Sequence, residues 1–231
     1  MTNRPVALIT GATRGIGLAI AESLAADHHL LVGGTRHADA DQLAGRLPSA
    51  APFAVDLTDE GATAAAAASI DRLDVLVHSA GIAANASVEA TDRAMWRRHF
   101  EVNTVAVADL TRLLLPRLRA AAGLVIVINS GSGFVSHPNA SAYCASKFAV
   151  RAVTDALREE ERGAVRVCSI HPGRVDTDMQ REIQRRPGTA DTDYDGSRYV
   201  SPESVAAAVR LAVDTPPNAT IDELSIRPSI D

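Results

Sequence analysis

The sequence predicts a doubly wound α/β fold, and two observations carry this prediction. Short aliphatic runs recur along the chain with helix-compatible segments between most of them, an alternation that is typical of a parallel sheet. The runs are almost continuously apolar, as strands are when helices cover both faces of their sheet. A chain of 231 residues is long enough for one well-buried domain. We therefore expect a single α/β/α domain over residues 1–231.

The individual elements follow from composition and from end signals. The strands are predicted at Val6–Ile9, Leu30–Val32, Phe53–Val55, Val75–Val77, Leu124–Ile128 and Val165–Ile170. Segments rich in Ala, Leu, Arg and Glu predict helices at Ile16–Ala26, Thr58–Ser69, Thr91–Ala121, Ala142–Glu160 and Pro202–Val213. Thr91 and Ser201 are the expected N-caps of their helices, and Pro202 occupies the favoured first helical position.

Composition and charge exclude several classes of protein. The hydrophobic fraction of 46% and the charged fraction of 22% are typical of globular proteins and exclude disordered, collagen-like and disulfide-rich chains. A net charge of −5 gives no basic field for nucleic acid or an anionic membrane. We expect a soluble cytoplasmic protein, since the sequence shows no signal-peptide or membrane-span pattern. Cys144 and Cys168 are expected to be small buried residues, and no ligand spacing indicates a metal site.

A glycine-rich turn follows the first predicted strand. Residues 10–17 read Thr-Gly-Ala-Thr-Arg-Gly-Ile-Gly, which places Gly11, Gly15 and Gly17 at the start of a predicted helix. Glycines at such positions permit a tight turn, close approach of the backbone to a pyrophosphate, and close packing of helix on strand. The N-terminus of the helix would face the anion. This context favours a dinucleotide-binding site over an ordinary turn.

The end of the second strand distinguishes between the two nicotinamide dinucleotides. An acidic residue at this place in such a fold binds the 2′-hydroxyl of NAD, but residues 33–36 read Gly-Gly-Thr-Arg. Arg36 and Arg14 could instead clamp the 2′-phosphate of NADP, unless both are solvated surface residues. We expect NADP(H), with NAD(H) as the alternative. Asp56 and Leu57 are placed to contact the adenine, although an Asp56 that caps the next helix would give the same pattern.

From Thr10 to Thr177 the chain resembles the short-chain dehydrogenase/reductase family, because several motifs occur in the family's order and at similar separations. The resemblance rests on the glycine turn, Asp56-Leu57, Ser79-Ala80-Gly81, Val102-Asn103, Ser130, Tyr143-Cys144-Ala145-Ser146-Lys147, and Pro172-Gly173 with Thr177. It implies a Rossmann-type doubly wound domain and an NADP-preferring carbonyl reductase or alcohol dehydrogenase. In one departure, residues 78–81 read His-Ser-Ala-Gly, where family members often have Asn-Asn-Ala-Gly. This difference puts a stabilising amide contact in the sheet in doubt.

The resemblance implies a catalytic tetrad of Asn103, Ser130, Tyr143 and Lys147, with Asn103 anchoring a water that links Lys147 to solvent. Tyr143 and Lys147 are four residues apart, so both lie on one face of a helix. A nearby ammonium and a positive nicotinamide ring would lower the pKa of Tyr143 from about 10 toward the operating pH. Tyr143 is then the acid/base in hydride transfer between a carbonyl and a secondary alcohol, and Ser130 holds the oxygen. Ser132 is the alternative to Ser130.

The contacts expected for the cofactor combine the glycine turn with the resemblance. The bend at Pro172-Gly173 lets the backbone approach the nicotinamide, and the resemblance assigns Thr177 and the Val175 backbone to its carboxamide. His171, beside this bend, is expected to have no catalytic role. The expected contacts are Gly11, Thr13, Arg14, Gly15, Ile16, Gly17, Arg36, Asp56, Leu57, Ala80, Gly81, Asn103, Tyr143, Lys147, Pro172, Gly173, Val175 and Thr177.

Residues Val175–Val200 are expected to form a mobile surface flap that binds substrate. A loop this long in a compact domain is usually a lid, a binding loop or disorder, and its position after a strand end favours a lid. Its Arg181, Arg185 and Arg186 could recruit an acidic substrate or could belong to a solvated face. The sequence therefore predicts where substrate is selected but not which substrate it is.

The expected partners are a small carbonyl or alcohol substrate and further copies of the chain, with no nucleic acid and no membrane. The helices predicted at 91–121 and 142–160 resemble those through which the family forms dimers and tetramers, so we expect a homodimer or homotetramer. Two alternatives to a carbonyl reductase remain. One is a 3-oxoacyl-(acyl-carrier-protein) reductase, and the other is a noncatalytic NADP-sensing protein.

Overall fold

A parallel sheet lies at the centre of this computed structural model, which describes residues 4–184 and 194–229. The strands are β1 (Val6–Thr10), β2 (His29–Gly34), β3 (Ala50–Ala54), β4 (Val75–His78), β5 (Leu124–Ile128), β6 (Arg166–Pro172) and β7 (Glu223–Ile226). The helices are α1 (Gly15–Leu24), α2 (His37–Arg46), α3 (Glu60–Ala68), α4 (Arg93–Phe100), α5 (Ala106–Ala120), α6 (Ser141–Glu160), α7 (Asp178–Gln184) and α8 (Pro202–Asp214). Within these two ranges no helix is long and apolar enough to cross a membrane.

The strand order is β3-β2-β1-β4-β5-β6-β7, and every neighbouring pair is parallel. Two buried clusters flank the sheet. Val209 of α8 shares one cluster with Ile126, whereas Leu110 of α5 shares the other with Val125. Adjacent residues of one strand therefore enter opposite cores, which is why the central strands are apolar at every position. The predicted doubly wound parallel sheet is confirmed.

Both cysteines are buried in this packing. Cys144 is 1% exposed in the first turn of α6, and Cys168 is 0% exposed in β6. Burial raises the pKa of the Cys168 thiol to about 12, so this thiol is neutral at physiological pH. The prediction that the two cysteines are small core residues is confirmed.

Three elements of the structure, α2, α7 and β7, escape prediction from sequence, and one strand is displaced. The helix α2 buries only Ala40 and Leu43, so its apolar stripe is too narrow to stand out in a polar segment. The edge strand β7 alternates exposed and half-buried residues and lacks the continuous apolar run of a central strand. The third strand lies at Ala50–Ala54 rather than at Phe53–Val55. Only Phe53 of this edge strand is buried, so hydrophobicity does not mark its ends.

The single helix predicted at 91–121 is two helices in the structure. A π-helical turn at Glu101–Val105 joins α4 to α5 and carries Asn103. Turns of this kind widen the helix by one residue and occur often at functional sites. The composition of the segment favours helix throughout, so only the local hydrogen-bond pattern reveals the break.

The two predicted helix caps have different outcomes. The N-cap of α4 is Asp92 rather than Thr91, because the Asp92 carboxylate accepts a backbone N–H of the first turn at 2.7 Å. The Thr91 hydroxyl instead donates to a carbonyl four residues earlier. The prediction for α8 is confirmed, since Ser201 accepts the N–H of Ser204 at 3.1 Å and Pro202 is the first helical residue.

The order of strands reverses between β1 and β4. The chain passes from β1 to β2 and β3 on one side and then returns to β4 on the other side. Ligands of open α/β sheets bind at such a switch point, outside the carboxyl ends of the strands. Here the Thr10 hydroxyl accepts the backbone N–H groups of Ser79 and Ala80, both at 3.1 Å. The ends of β1 and β4 are thus held together by the protein itself.

The segment Val175–Val200, predicted as a long surface loop, contains the helix α7. A parallel bridge pairs its first residue with its last. Asp176 accepts hydrogen bonds from the Arg181 guanidinium at 2.8 Å and from the Tyr194 hydroxyl at 3.0 Å. The two arms of the segment are therefore joined at their base.

Part of this segment, residues 185–193, lies outside the described residues. The interpretation of Arg185 and Arg186 as substrate-recruiting or solvated groups therefore stays a prediction. Arg181 is described, and its guanidinium also lies 4.4 Å from the ring centre of Tyr194. This flap arginine is thus held by groups of the flap itself.

The contact between β2 and β1 gives a stability prediction. A Cβ at Gly33 would lie 2.6 Å from the carbonyl oxygen of Ile9 and 2.8 Å from Cα of Thr10, and neither backbone atom can move without disturbing the sheet. Gly33→Ala should lower the free energy of unfolding by about 1–3 kcal/mol, as overpacking does. Urea denaturation followed by circular dichroism measures this change.

Gly45→Ala is the matched control, because Gly45 is an exposed residue of α2 whose Cβ would meet nothing within 4 Å. Its replacement should leave stability unchanged or raise it by up to about 1 kcal/mol. Equal effects of the two substitutions would contradict the close approach of β2 to β1.

Candidate functional site

The glycine turn lies against the loop that follows β4. Gly11 has φ +65°, and a Cβ there would stand 2.8 Å from Cα of Ala80. A Cβ at Gly17 would collide with the carbonyl oxygen of Gly11. Both positions therefore require glycine, the first for its backbone conformation and for close approach, the second for close approach alone.

The N-terminus of α1 is open toward this edge of the sheet. Arg14 is the N-cap residue in an extended conformation, and among the described residues no side chain caps the helix. The N–H groups of a first helical turn have no partner within the helix, and together with the helix dipole they suit an anion. The turn fits the pyrophosphate of a dinucleotide.

A cleft of about 390 Å³ extends from this turn along the carboxyl edge of the sheet. The expected cofactor residues that line it are Gly11, Thr13, Arg14, Gly15, Ile16, Gly17, Asp56, Leu57, Ala80, Gly81 and Thr177. The expected residues outside its lining are Arg36, Asn103, Tyr143, Lys147, Pro172, Gly173 and Val175. Arg98 and Met179 also line the cleft. No sequence signal marks these two, because each lies on the exposed side of a short helix.

A second cavity of about 500 Å³ adjoins the cleft and shares Thr13, Arg14 and Thr35 with it. Its lining includes three arginines, at positions 14, 36 and 46, and one carboxylate, Asp39. Arg36 contacts Asp39 at 2.6 Å and has a side chain that is 80% exposed. Arg46 lies at the end of α2, an element that the sequence does not reveal, and so it could not be found by motif.

Asp56 forms a turn rather than a helix cap. Its carboxylate accepts the backbone N–H of Thr58 at 3.0 Å and the Thr58 hydroxyl at 2.8 Å. Both hydrogen bonds lower the pKa of the Asp56 carboxyl, and the bond from the backbone N–H has the larger effect. The N-cap of α3 is Asp59, which accepts the N–H of Ala62 at 2.9 Å. The helix-cap interpretation of Asp56 is therefore wrong, and its contact with adenine stays a prediction.

Ser130 lies two residues beyond β5 and opens a short 3₁₀ turn at Gly131–Gly133. Its hydroxyl oxygen accepts the backbone N–H of Ser132 at 3.1 Å. Tyr143 and Lys147 lie one turn apart on α6, as predicted from their spacing, and the Lys147 ammonium is 5.9 Å from the centre of the Tyr143 ring. The Ser130 hydroxyl also lies close enough to Tyr143 to influence its pKa.

Lys147 is 7% exposed and its ammonium donates to the carbonyl oxygen of Ile128 at 3.1 Å. Burial lowers its pKa to about 8, because the charged form loses hydration. Asn129, also buried, donates its side-chain amide to the backbone carbonyl of Lys147 at 3.3 Å. The end of β5 and α6 therefore hold each other in place around this ammonium.

The pKa of Tyr143 departs from the sequence-based expectation. Burial raises it, and the Ser130 hydroxyl acts in the opposite direction with a smaller effect. Lys147 was expected to lower this pKa, but its ammonium points to the Ile128 carbonyl instead. The protein's own groups therefore keep the phenol protonated at neutral pH, and the lowering expected from Lys147 together with a bound nicotinamide stays a prediction.

Asn103 does not contact Lys147 directly. Its side-chain oxygen accepts the N–H of Ile82 at 2.9 Å, and its amide donates to the Ile82 carbonyl and to the Ser146 hydroxyl, both at 3.0 Å. The π-helical turn thereby ties the loop after β4 to α6. The water that the resemblance assigns to Asn103 stays a prediction.

Two histidines have contacts that the sequence does not reveal. His171 is fully buried, with Nδ1 3.2 Å from the carbonyl oxygen of Ser130 and Nε2 3.0 Å from the Glu223 carboxylate. Burial lowers its pKa. His78 contacts the Thr111 hydroxyl at 2.8 Å, and burial lowers its pKa to about 3. His78 thus bonds to α5, where the family's asparagine would make an amide contact in the sheet.

The bend after β6 is held by the strand β7 and by the flap. Pro172 is the last residue of β6, and Gly173 donates its N–H to the carbonyl of Ile226 at 2.7 Å. Val175 is buried and paired with the far end of the flap. Of the nicotinamide contacts expected here, only Thr177 lines the cleft.

Comparison with known proteins agrees with this arrangement. A family model described as short chain dehydrogenase matches residues 5–188. The chain is 31% identical to dehydrogenase/reductase SDR family member 11 of Bos taurus over 244 aligned positions, which cover 97% of this chain and 96% of the relative.

Two solved structures are closely similar. An alcohol dehydrogenase from the archaeon Thermococcus sibiricus, complexed with 5-hydroxy-NADP, has a TM-score of 0.88 and 26% identity over 99% of this chain and 98% of its own. The closed form of a serine dehydrogenase, complexed with NADP+, has a TM-score of 0.87 and 27% identity over 96% of this chain and 94% of its own. The chain belongs to the short-chain dehydrogenase/reductase family of oxidoreductases.

Proposed function

We propose that the protein is an NADP(H)-dependent oxidoreductase that interconverts a carbonyl and a secondary alcohol, with Tyr143 as acid/base. The observation that carries the proposal is the grouping of Ser130, Tyr143 and Lys147 at the same carboxyl edge of the sheet as the cleft beside the glycine turn. The cofactor would supply or accept a hydride. The side chains must then supply or accept one proton and hold the substrate oxygen.

Tyr143 is suited to give the proton during reduction. Its raised pKa keeps the phenol protonated at neutral pH, and an acid must hold its proton until the carbonyl oxygen becomes basic. The Ser130 oxygen accepts the N–H of Ser132, and its hydroxyl proton would be donated to the substrate oxygen when substrate is bound. Ser132 contributes its backbone to this arrangement, so we prefer Ser130 as the catalytic serine.

Lys147 is suited to bind the cofactor ribose and to place a positive charge near the reacting groups. With a pKa of about 8 it is mostly protonated at neutral pH, and the Ile128 carbonyl occupies only one of its three donors. Asn103 supports this helix through Ser146. It acts on the chemistry by positioning, together with the water that the resemblance assigns to it.

The preference for NADP(H) is supported by the cavity next to the glycine turn. Arg14, Arg36 and Arg46 line it against a single carboxylate, Asp39, and guanidinium groups bind phosphate in a bidentate manner. The 2′-phosphate would compete with Asp39 for Arg36. Two similar structures are complexes of NADP or its derivative. NAD(H) remains the alternative cofactor.

The remaining parts of the proposal concern substrate and assembly. The flap Val175–Val200 would contact a small carbonyl or alcohol substrate. The helices α5 and α6 would form a homodimer or homotetramer, in a cytoplasmic protein that binds neither nucleic acid nor membranes. These proposals are based on the family resemblance and on the sequence. A measurement of the molecular mass in solution tests the proposed assembly.

Tyr143→Phe should lower turnover by about 10²–10⁴-fold, because the proton of the phenol is lost, while the Kd for NADPH changes by less than about three-fold. NADPH consumption with a panel of ketones, aldehydes and oxo acids measures the first quantity, and fluorescence titration the second. Ser130→Ala should also lower turnover strongly, whereas Ser132→Ala, which keeps its backbone N–H, should not.

Three outcomes of this experiment would change the proposal. If Ser132→Ala were the slower serine variant, the two serines would exchange roles. If only 3-oxoacyl groups on an acyl carrier protein were reduced, the protein would be a carrier-linked reductase. If the wild type bound NADPH but reduced nothing in the panel, a noncatalytic sensor would replace the enzyme.

The pH dependence of kcat/KM gives a second prediction. Reduction should be constant near neutral pH and fall above about pH 8 as Lys147 loses its proton, because Tyr143, with its raised pKa, still holds its own. Alcohol oxidation, which needs a proton acceptor, should become faster with rising pH. Lys147→Met should be slower at every pH and should lack the step near pH 8. A kcat/KM for reduction that already falls as the pH rises toward 7 would contradict these assignments.

Arg36→Asp should raise the Kd for NADPH by about 10–100-fold and change that for NADH by less than about three-fold, because a carboxylate would face the 2′-phosphate. Titration with each cofactor measures both constants. Arg162→Asp is the control, since Arg162 is an exposed residue just beyond α6 that pairs with Glu159. Equal losses for the two cofactors would overturn the proposed preference.

A further inference from the structure

The chain beyond β7 lies against the edge of the sheet that carries Ser130. Gly173 donates its N–H to the carbonyl of Ile226 at 2.7 Å. A Cβ at Gly173 would stand 3.2 Å from Cδ of Pro228 and 3.6 Å from Cα of Arg227. The backbone on both sides of Arg227 is therefore fixed on the bend after β6, and the side chain starts from a defined position.

The Arg227 side chain extends from there over Gly131. Its Nη1 lies 3.1 Å from the point where a Cβ of Gly131 would stand, and Nη2 and Cζ lie 3.9 Å from that point. The guanidinium thus occupies the space that a side chain at position 131 would take. Gly131 follows Ser130 directly, and consecutive Cα atoms are about 3.8 Å apart. A cation therefore stands one residue away from the proposed catalytic serine.

Arg227 is an exposed residue. Within residues 4–184 and 194–229 no carboxylate lies within ion-pair distance of it. The acidic residue on the same strand, Glu223, instead contacts His171. In a chain of net charge −5, an exposed guanidinium over the residue that follows Ser130 favours an anionic ligand.

The flap arginine that the structure describes is a weaker candidate for this role. Arg181 is neutralised by Asp176 at 2.8 Å and stacks on Tyr194. A substrate would have to displace both partners before it could bind Arg181. Arg227 has no such partner among residues 4–184 and 194–229, and its backbone is held by the bend after β6 rather than by the flap.

We propose that Arg227 selects anionic substrates by binding the carboxylate of a short oxo acid or hydroxy acid. The carboxylate would lie on the guanidinium while the reacting oxygen, one or two carbons away, lies between Ser130 and Tyr143. The carboxylate takes no part in the reaction. The hydride of NADPH goes to the carbonyl carbon and the Tyr143 proton to its oxygen, as in the proposed function on which this inference rests.

The test compares 3-oxobutanoate with its methyl ester, which has the same ketone but no charge. Wild-type protein should have the higher kcat/KM for the acid. Arg227→Gln should lower kcat/KM for the acid by about 10–100-fold, mainly through KM, because one charge-assisted contact is lost. The ester should change by less than about two-fold. Arg227→Lys should recover part of the loss, and Arg162→Gln should change neither substrate.

Equal use of acid and ester by the wild type, or an equal effect of Arg227→Gln on both, would overturn the inference. A second measurement separates it from failure of the proposed function. With NADP+ present, ligand-observed NMR compares binding of butanoate and butanamide, neither of which can react. Tighter binding of butanoate that is lost in Arg227→Gln supports the anion site even if no carbonyl is reduced, whereas equal binding of the two ligands overturns it.

Discussion

Direct backbone contact between the glycine turn and the loop after β4 is the constraint on which the site depends. Gly11 approaches Cα of Ala80 so closely that no side chain fits, and the Thr10 hydroxyl accepts two N–H groups from the same loop. The cleft opens where these two strand ends meet. Its shape is consequently set by main-chain atoms, which are far less adjustable than side chains.

The second constraint is the burial of two titratable groups on one helix. Burial disfavours the charged form of each, and so the pKa of Tyr143 rises while that of Lys147 falls. The lysine therefore loses its proton before the tyrosine, although their ordinary pKa values are nearly equal. A buried ammonium weakens the fold unless it is paired, and here one carbonyl, that of Ile128, supports it. Titratable groups whose pKa values are shifted by burial are common at functional sites.

Sequence alone predicts the parts of this protein that are encoded by local pattern. The central strands, the glycine turn and the spacing of Tyr143 and Lys147 all have signatures within a few residues, and the structure contains each of them. The helix α2 and the strand β7 are half-exposed and lack such signatures. Arg46 is the last residue of α2, and Arg227 follows β7 directly. The sequence therefore gives no reason to place either arginine near the site.

The direction in which a pKa shifts also cannot be predicted from sequence. Spacing on a helix brings Lys147 near Tyr143 but does not determine where the ammonium points, and a carbonyl at the end of β5 decides that. The same applies to His171, whose position before a Pro-Gly bend gives no sign that Ser130 and Glu223 are its neighbours. Contacts across the sheet arise only when distant strands come together.

The contacts at the base of the flap affect which changes of sequence the fold can accommodate. Asp176 holds residues from both arms of the segment, and Val175 pairs with Val200 below it. The stretch between Arg181 and Tyr194 thus starts and ends at a common anchor, and the entropy cost of closing a loop grows only slowly with its length. A change in the length of that stretch therefore need not disturb the anchor, because Asp176 and the Val175–Val200 pair join the two arms independently of it.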